Sequence, residues 1–333
     1  MSVVAAVTLC LLAAGNEGDS IAMPGGDRGI GFDDLGYSSK LGKVLVPSGA
    51  TGRVNLVDPK TGAVESISGF SAGAGGGQGH GEGTTSADVG GGFLFASDRT
   101  RKTLSGVDLA TRKIVATAQL QGGPDYVRWV GPTSEVWVTE PGRKAIEIFR
   151  FTSNPAPALT SVASITFPDG PESLVIDATR GRAYTHSWKD TTFAVDLKAR
   201  AVAATWNNGC QGARGIGLDE PRGWLFVGCD EGQAVSLDVV HGGAKLGAVK
   251  TAKGVDIIAY SAALGHLYVP GGDDAQLTTV GVGKAGALTS LGTAPTAPDA
   301  HCVATDGAGT AFICDPQHGR VLRIRDPYPA SAR

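Results

Sequence analysis

A short apolar segment recurs seven times along this 333-residue chain, and that repetition limits the fold more than any other feature. The copies are KVLVPS from Lys43, FLFASD from Phe93, EVWVTE from Glu135, RAYTHS from Arg182, WLFVGC from Trp224, HLYVPG from His266 and TAFICD from Thr310. They start about 42 to 50 residues apart, the length of a four-stranded propeller blade. Within each copy apolar residues alternate with small or polar ones, and Val, Phe, Trp and Tyr are frequent. A period of two with β-favouring residues predicts strands and excludes helical repeats.

Each copy sits in the same surroundings. An apolar strand ending in a turn precedes it, as in GIGLDEPRG and LVIDATRG, and is expected to be the innermost strand of its blade. A third strand ending in Asp follows, as in RVNLVDPKTG, TLSGVDLATRK, FAVDLKAR and AVSLDVV, and then a fourth, more exposed one. The Asp side chain can accept from the backbone two or three residues on, which favours a tight turn there. The seventh copy has only three strands before the chain reaches Pro327, Tyr328 and Pro329. The short segment SIAMPG from Ser20 is therefore predicted to supply the missing outer strand, closing a seven-bladed all-β propeller and covering two open sheet edges.

Composition agrees with this reading. Fifty glycines, 17 prolines and a charged fraction of 18% suit short strands joined by many turns. A formal net charge of −3 provides no basic field for nucleic acid or anionic membrane. Residues 1–15 carry an apolar run ending in small residues, with Ala13 and Gly15 where a signal peptidase would need them, so a mature domain of residues 16–333 is expected in the periplasm or outside the cell. The run is too short to span a bilayer, and no transmembrane segment is expected. Four cysteines remain after the leader, in two local pairs that each bracket a hairpin, and disulfides Cys210–Cys229 and Cys302–Cys314 are the natural reading in an oxidising compartment.

The segments GCQGARGIGLDEPRGWLFVGCDEGQAVSLDV and KGVDIIAYSAALGHLYVPG resemble the YVTN-repeat, or YncE-like, family of exported bacterial propellers. The tetrapeptide YVTN is itself absent, and WVTE at Trp137 is its nearest form. The resemblance implies export, a seven-bladed disc and binding at one face of the channel. For some relatives it also implies single-stranded DNA binding, which the acidity of this chain disfavours.

In a propeller the innermost strands enter the central channel side by side. Aligned by their turns, the seven strands place Arg28, Glu82, Asp125, Glu172, Arg214, Asp256 and His301 at that entrance, with His80 a rival to Glu82. Such a ring reads either as a set of salt bridges that solvates the mouth or as a polar binding site. If the two arginines neutralise two of the acids, a divalent cation at Glu82, Asp125 and Asp256 with His301 is chemically reasonable. Asp98, Glu140, His186, Trp188, Asp230 and Asp315 follow second strands and would widen the site, although turn and surface roles are expected for each. His241, His266 and His318 are expected at the surface. The Gly-rich stretch from Gly69 to Gly83 contains G-x-G-x-x-G without a surrounding βαβ pattern, and reads as a flexible loop carrying His80 rather than a nucleotide fingerprint.

Three functions follow from the sequence. The first is a monomeric extracytoplasmic binding protein holding a small ligand, ion or protein partner. The second is a metal-assisted, lactonase-like hydrolase or lyase using the same residues, and the third is single-stranded DNA binding.

Overall fold

A computed structural model describes residues 19–73 and 81–331. The leader reading of residues 1–15 and the position of His80 lie outside the described residues. Among the described residues twenty-eight strands, β1 to β28 in chain order, form seven antiparallel sheets of four. Helix is confined to three single 3-10 turns among the described residues. The chain is an all-β seven-bladed propeller.

The seven repeats become the second strands of the blades: β3 (Lys43–Pro47), β7 (Phe93–Asp98), β11 (Glu135–Glu140), β15 (Arg182–His186), β19 (Trp224–Cys229), β23 (His266–Gly271) and β27 (Thr310–Asp315). Paired with each is an innermost strand: β2 (Gly36–Ser38), β6 (Thr84–Gly90), β10 (Val127–Val130), β14 (Glu172–Asp177), β18 (Ala213–Asp219), β22 (Ala259–Ser261) and β26 (Val303–Thr305). The innermost strands neighbour one another in sequence order, and β26 returns to β2, so the ring is closed. Closure comes from β1 (Ser20–Ala22), which pairs with β28 (Arg320–Arg325) in the register Ser20 to Leu322 and Ala22 to Arg320. Arg323 adds an ion pair to Asp19 at 2.5 Å.

Turns after the third strands form as their sequence dictates. Asp58 Oδ1 accepts from the Lys60 and Thr61 amides at 3.0 and 2.9 Å, and Asp108 Oδ1 from Ala110 and Thr111 at 2.8 and 2.9 Å. Asp196 and Asp238 repeat the motif. The core lies between adjacent blades, where inward faces of the strands meet; Leu45, Val54 and Ile67 of the first blade, for example, pack on Leu94, Ala96 and Val107 of the second. Between the second and third blades Trp129 stacks on Phe95 at 5.4 Å. Gly90 permits this, because a Cβ there would lie 2.0 Å from Trp129 Cγ.

Both disulfides form as expected, with Cα separations of 5.4 Å for Cys210–Cys229 and 5.6 Å for Cys302–Cys314. Among the described residues no helix is long and apolar enough to cross a membrane. The two disulfides are compatible with a secreted protein. The Gly-rich stretch is partly strand: β5 runs from Val64 to Ala72 and takes in Gly69, correcting its reading as loop throughout.

Candidate functional site

Two cavities occupy opposite ends of the channel. Strand direction alone explains this: an innermost strand delivers its leading residue to one face and its trailing turn to the other. The leading ends of five blades bring Asp125, Glu172, Arg214, Asp256 and His301 to the wall of one cavity of about 440 Å³. The other two predicted ring members depart from expectation. Arg28 and Glu82 are exposed and stand outside that wall. In the first blade the chain ahead of β2 first crosses the last blade, where the Ile30 amide donates to Pro316 O at 2.8 Å, so Asp33 rather than Arg28 reaches the mouth. In the second blade β6 begins with Thr84, and Thr85 donates its hydroxyl to Asp125 O at 3.0 Å instead of presenting a charge.

Three innermost strands carry an irregularity of register at their entrance, between Thr84 and Ala87, between Glu172 and Val175, and between Ala213 and Ile216. A bulge at that point re-aims the leading side chains toward the channel. The turns between second and third strands add Arg99, Trp188, Asp230 and Asp273, and the link into β26 adds Asp299. Trp188 and Asp230 were legible as residues following a repeat; Arg99 and Asp273 occupy comparable turns, immediately or shortly after FLFASD and HLYVPG. The wall thus holds seven carboxyl groups (Asp33, Asp125, Glu172, Asp230, Asp256, Asp273, Asp299) against three cationic side chains (Arg99, Arg214, His301).

Arg99 is the clamp of this array. Its Nη2 lies 3.0 Å from Asp33 Oδ2 and 2.5 Å from Asp125 Oδ1, and its Nε donates to Pro124 O at 2.9 Å. One guanidinium cannot offset so many acids. Burial, reinforced by the negative charges of Asp33 and Glu172, pushes the Asp125 carboxyl well above the usual carboxylate range, although Arg99 opposes this. Glu172 is pushed up to about 8, first by burial and then by Asp256, while the Trp188 indole and Arg214 pull the other way. The Trp188 Nε1–H donates to Glu172 Oε2.

His301 is held by the backbone. Its Nδ1 faces Asp299 O at 2.6 Å and its Nε2 faces Phe32 O at 3.2 Å. Both partners are carbonyl oxygens, which only accept, so both ring nitrogens donate and the imidazole is a cation. Burial opposes that charge, but the Asp299 hydrogen bond and the Asp256 carboxylate overcome it and raise the group to about 9.

This geometry corrects the expectation of a cation cage at Glu82, Asp125, Asp256 and His301. Glu82 is outside the cavity, and a doubly donating imidazole has no lone pair for a metal. Among the described residues the groupings of three potential ligands whose donor atoms lie within 4.8 Å of one another each contain two disulfide-bonded cysteines, which makes them unsuitable.

Four other candidates are buried rather than at the surface, because the second strands that carry them lie within the blades. Asp98 accepts from the Ser71 amide at 2.7 Å, Glu140 from the Gly122 amide at 2.8 Å, and Asp315 pairs with Arg320 at 2.7 Å. His186 is pushed down to about 3 by burial and is neutral. His266 likewise is fully buried, against Asp326 at 2.7 Å, whereas the side chains of His241 and His318 are exposed as expected.

No protein-family model matches this chain, and no curated protein does either. Solved structures similar to it include a chain of a mitotic checkpoint complex (TM-score 0.75, 13% identity, covering 97% of this chain and 98% of that one). A chain of the Kuenenia stuttgartiensis hydrazine synthase is similar at TM-score 0.71 and 13% identity, covering 90% and 96%. The β-propeller domain of Myceliophteria thermophila Cps50 (Swd1) is similar at TM-score 0.72 and 11% identity, covering 92% and 99%. At such identities the likeness shows the seven-bladed propeller fold, a frame commonly used for binding and scaffolding, and function has to be argued from the site.

Proposed function

We propose that this protein is an extracytoplasmic binding protein that holds a small organic cation in the acidic mouth of its channel. The observation that carries the reading is the excess of carboxyls in one cavity wall, seven against three cationic side chains, with Asp33 and Asp256 crowding Asp125 and Glu172. Carboxyls with raised affinity for protons lie in a field short of positive charge, and an ammonium or guanidinium ligand would supply that charge. Trp188, 40% exposed and in the cavity wall, offers an aromatic face to the same cation. The spread of carboxyls around about 440 Å³ suits a ligand of several atoms better than a single ion.

Two disulfides and the leader reading support export, in keeping with the resemblance to YVTN-repeat propellers. The metal-assisted lactonase-like reading loses its ligand set at Glu82 and His301. Single-stranded DNA would bring phosphates to a mouth where carboxyls outnumber cations.

Calorimetric titration with benzylammonium at pH 7, in two buffers of different ionisation heat, tests the proposal. Saturable, salt-sensitive binding with net proton release is expected, since Glu172 must lose its proton to meet the ligand. Asp256→Asn should weaken binding by about tenfold or more, the worth of a charge-assisted hydrogen bond. Absence of saturable binding, or a preference for benzoate, would refute the reading.

A further inference from the structure

The second cavity, at the opposite mouth, has a different chemistry. It measures about 400 Å³ and is walled by Ile216, Ile257, Ile258, Val303 and the ring of Tyr260. Its arginine is already engaged: Arg128 grips Asp34 with both terminal nitrogens, at 2.5 and 3.1 Å, so neither partner presents an open charge. Asp306, at the outer edge, is occupied by the Ala308 and Thr310 amides at 2.8 and 3.0 Å.

Two hydroxyls in this wall have no hydrogen-bond partner among the described residues. They are Tyr126 Oη and Ser173 Oγ, on residues 2% and 1% exposed. Buried hydroxyls are ordinarily satisfied, because leaving one unpaired costs about 1–3 kcal/mol. Both residues line the same cavity from adjacent blades, Tyr126 just ahead of β10 and Ser173 within β14.

We infer that this cavity is a second binding site, for a compact uncharged molecule with an apolar body and one polar end that meets the hydroxyls of Tyr126 and Ser173. The aliphatic wall takes the body, and the hydroxyls, which both give and accept hydrogen bonds, read the end. Carboxamides and alcohols fit this description. Carboxylates and ammonium groups do not, because Arg128 and Asp34 are spent on one another and Asp306 on backbone amides.

The site opens at the opposite mouth and shares none of the acidic wall's lining, although the Tyr126 hydroxyl feels the negative charge of Asp256, Glu172, Asp125 and Asp33 through the channel; one set of isosteric probes separates the two. Benzamide at millimolar concentration, added to protein labelled at Ile and Val methyls and at tryptophan indole nitrogen, is expected to move the Ile258 and Val303 signals and leave Trp188 unmoved. Benzoate should move neither, and benzylammonium should act at Trp188. Tyr126→Phe and Ser173→Ala should each weaken benzamide about fivefold, and Ala259→Phe, which fills the cavity, should abolish its binding with the thermal transition retained. Unmoved Ile258 and Val303 signals, benzoate binding as well as benzamide, or unchanged affinity in both hydroxyl variants would overturn the inference. Loss of the benzylammonium response alone would count against the acidic-mouth reading and leave this one standing.

Discussion

Glu172→Gln should make the protein more stable than the wild type at alkaline pH and leave it nearly unchanged in acid. Glutamine keeps the shape of the protonated side chain and still accepts from the Trp188 indole, so it resembles the native state below pH 6. In the wild type the carboxyl is raised from an ordinary 4.5 to about 8. The folded state then binds more protons than the unfolded state between those values, and stability falls as pH rises through that window. Each unit of displacement corresponds to about 1.4 kcal/mol, which gives a loss on the order of 4–5 kcal/mol by pH 8.5. The variant lacks this slope. It retains a smaller one from His301, whose raised value of about 9 adds stability that is fully present below pH 6.5 and is lost toward pH 9. Guanidinium unfolding at pH 5, 7 and 8.5, with the urea or guanidinium slope checked for constancy, measures the difference. Parallel decline of wild type and variant across that range would refute the argument that Glu172 is held protonated.

Two further perturbations probe the frame of the site. Arg99→Met leaves Asp33 buried without its counter-ion and takes a hydrogen bond from Asp125, and should cost about 3–5 kcal/mol near neutrality; the deficit should shrink in acid as Asp33 protonates, and a deficit independent of pH would contradict the clamp. Ile21→Asp places a carboxylate in the core at the closing strand and should cost about 3 kcal/mol. Hydrogen exchange should then speed up in β28 before it does in β12 (Ala145–Thr152), and unchanged protection of β28 would show that closure does not depend on this contact.

The fold was legible because a strand buried on both faces needs a recognisable run of β-branched and aromatic residues, and seven such runs stand at even spacing. Phe93–Asp98 and Trp224–Cys229 became strands over the same residues the repeats marked. The site was legible only where the entrance to the channel is straightforward. Asp125, Glu172, Arg214, Asp256 and His301 each lie within three residues of the start of an innermost strand, so counting from the turn locates them. Arg28 failed because the approach to β2 detours across the last blade, a path set by Gly29 and Ile30 contacts with a segment almost 290 residues later. Glu82 failed because β6 begins only at Thr84, which is tied to Gly49 of the first blade, and Glu82 stays in the exposed segment ahead of it. Arg99 and Asp273 follow their repeats as Trp188 and Asp230 do, but a turn residue reveals its direction only once the blades are in place. The unpaired hydroxyls of Tyr126 and Ser173 could not be read at all, because an absent partner is a property of packing and not of order along the chain.

The pairing of β1 with β28 also sets a timetable for assembly. The ring's closing contact joins one of its first strands to its last, so blades formed earlier in synthesis wait as an open arc with an exposed edge at each end. Loop closure over nearly the whole length then precedes the final cooperative step. A chain halted before Arg320 would keep both edges open, and they have to stay shielded until the last hairpin arrives.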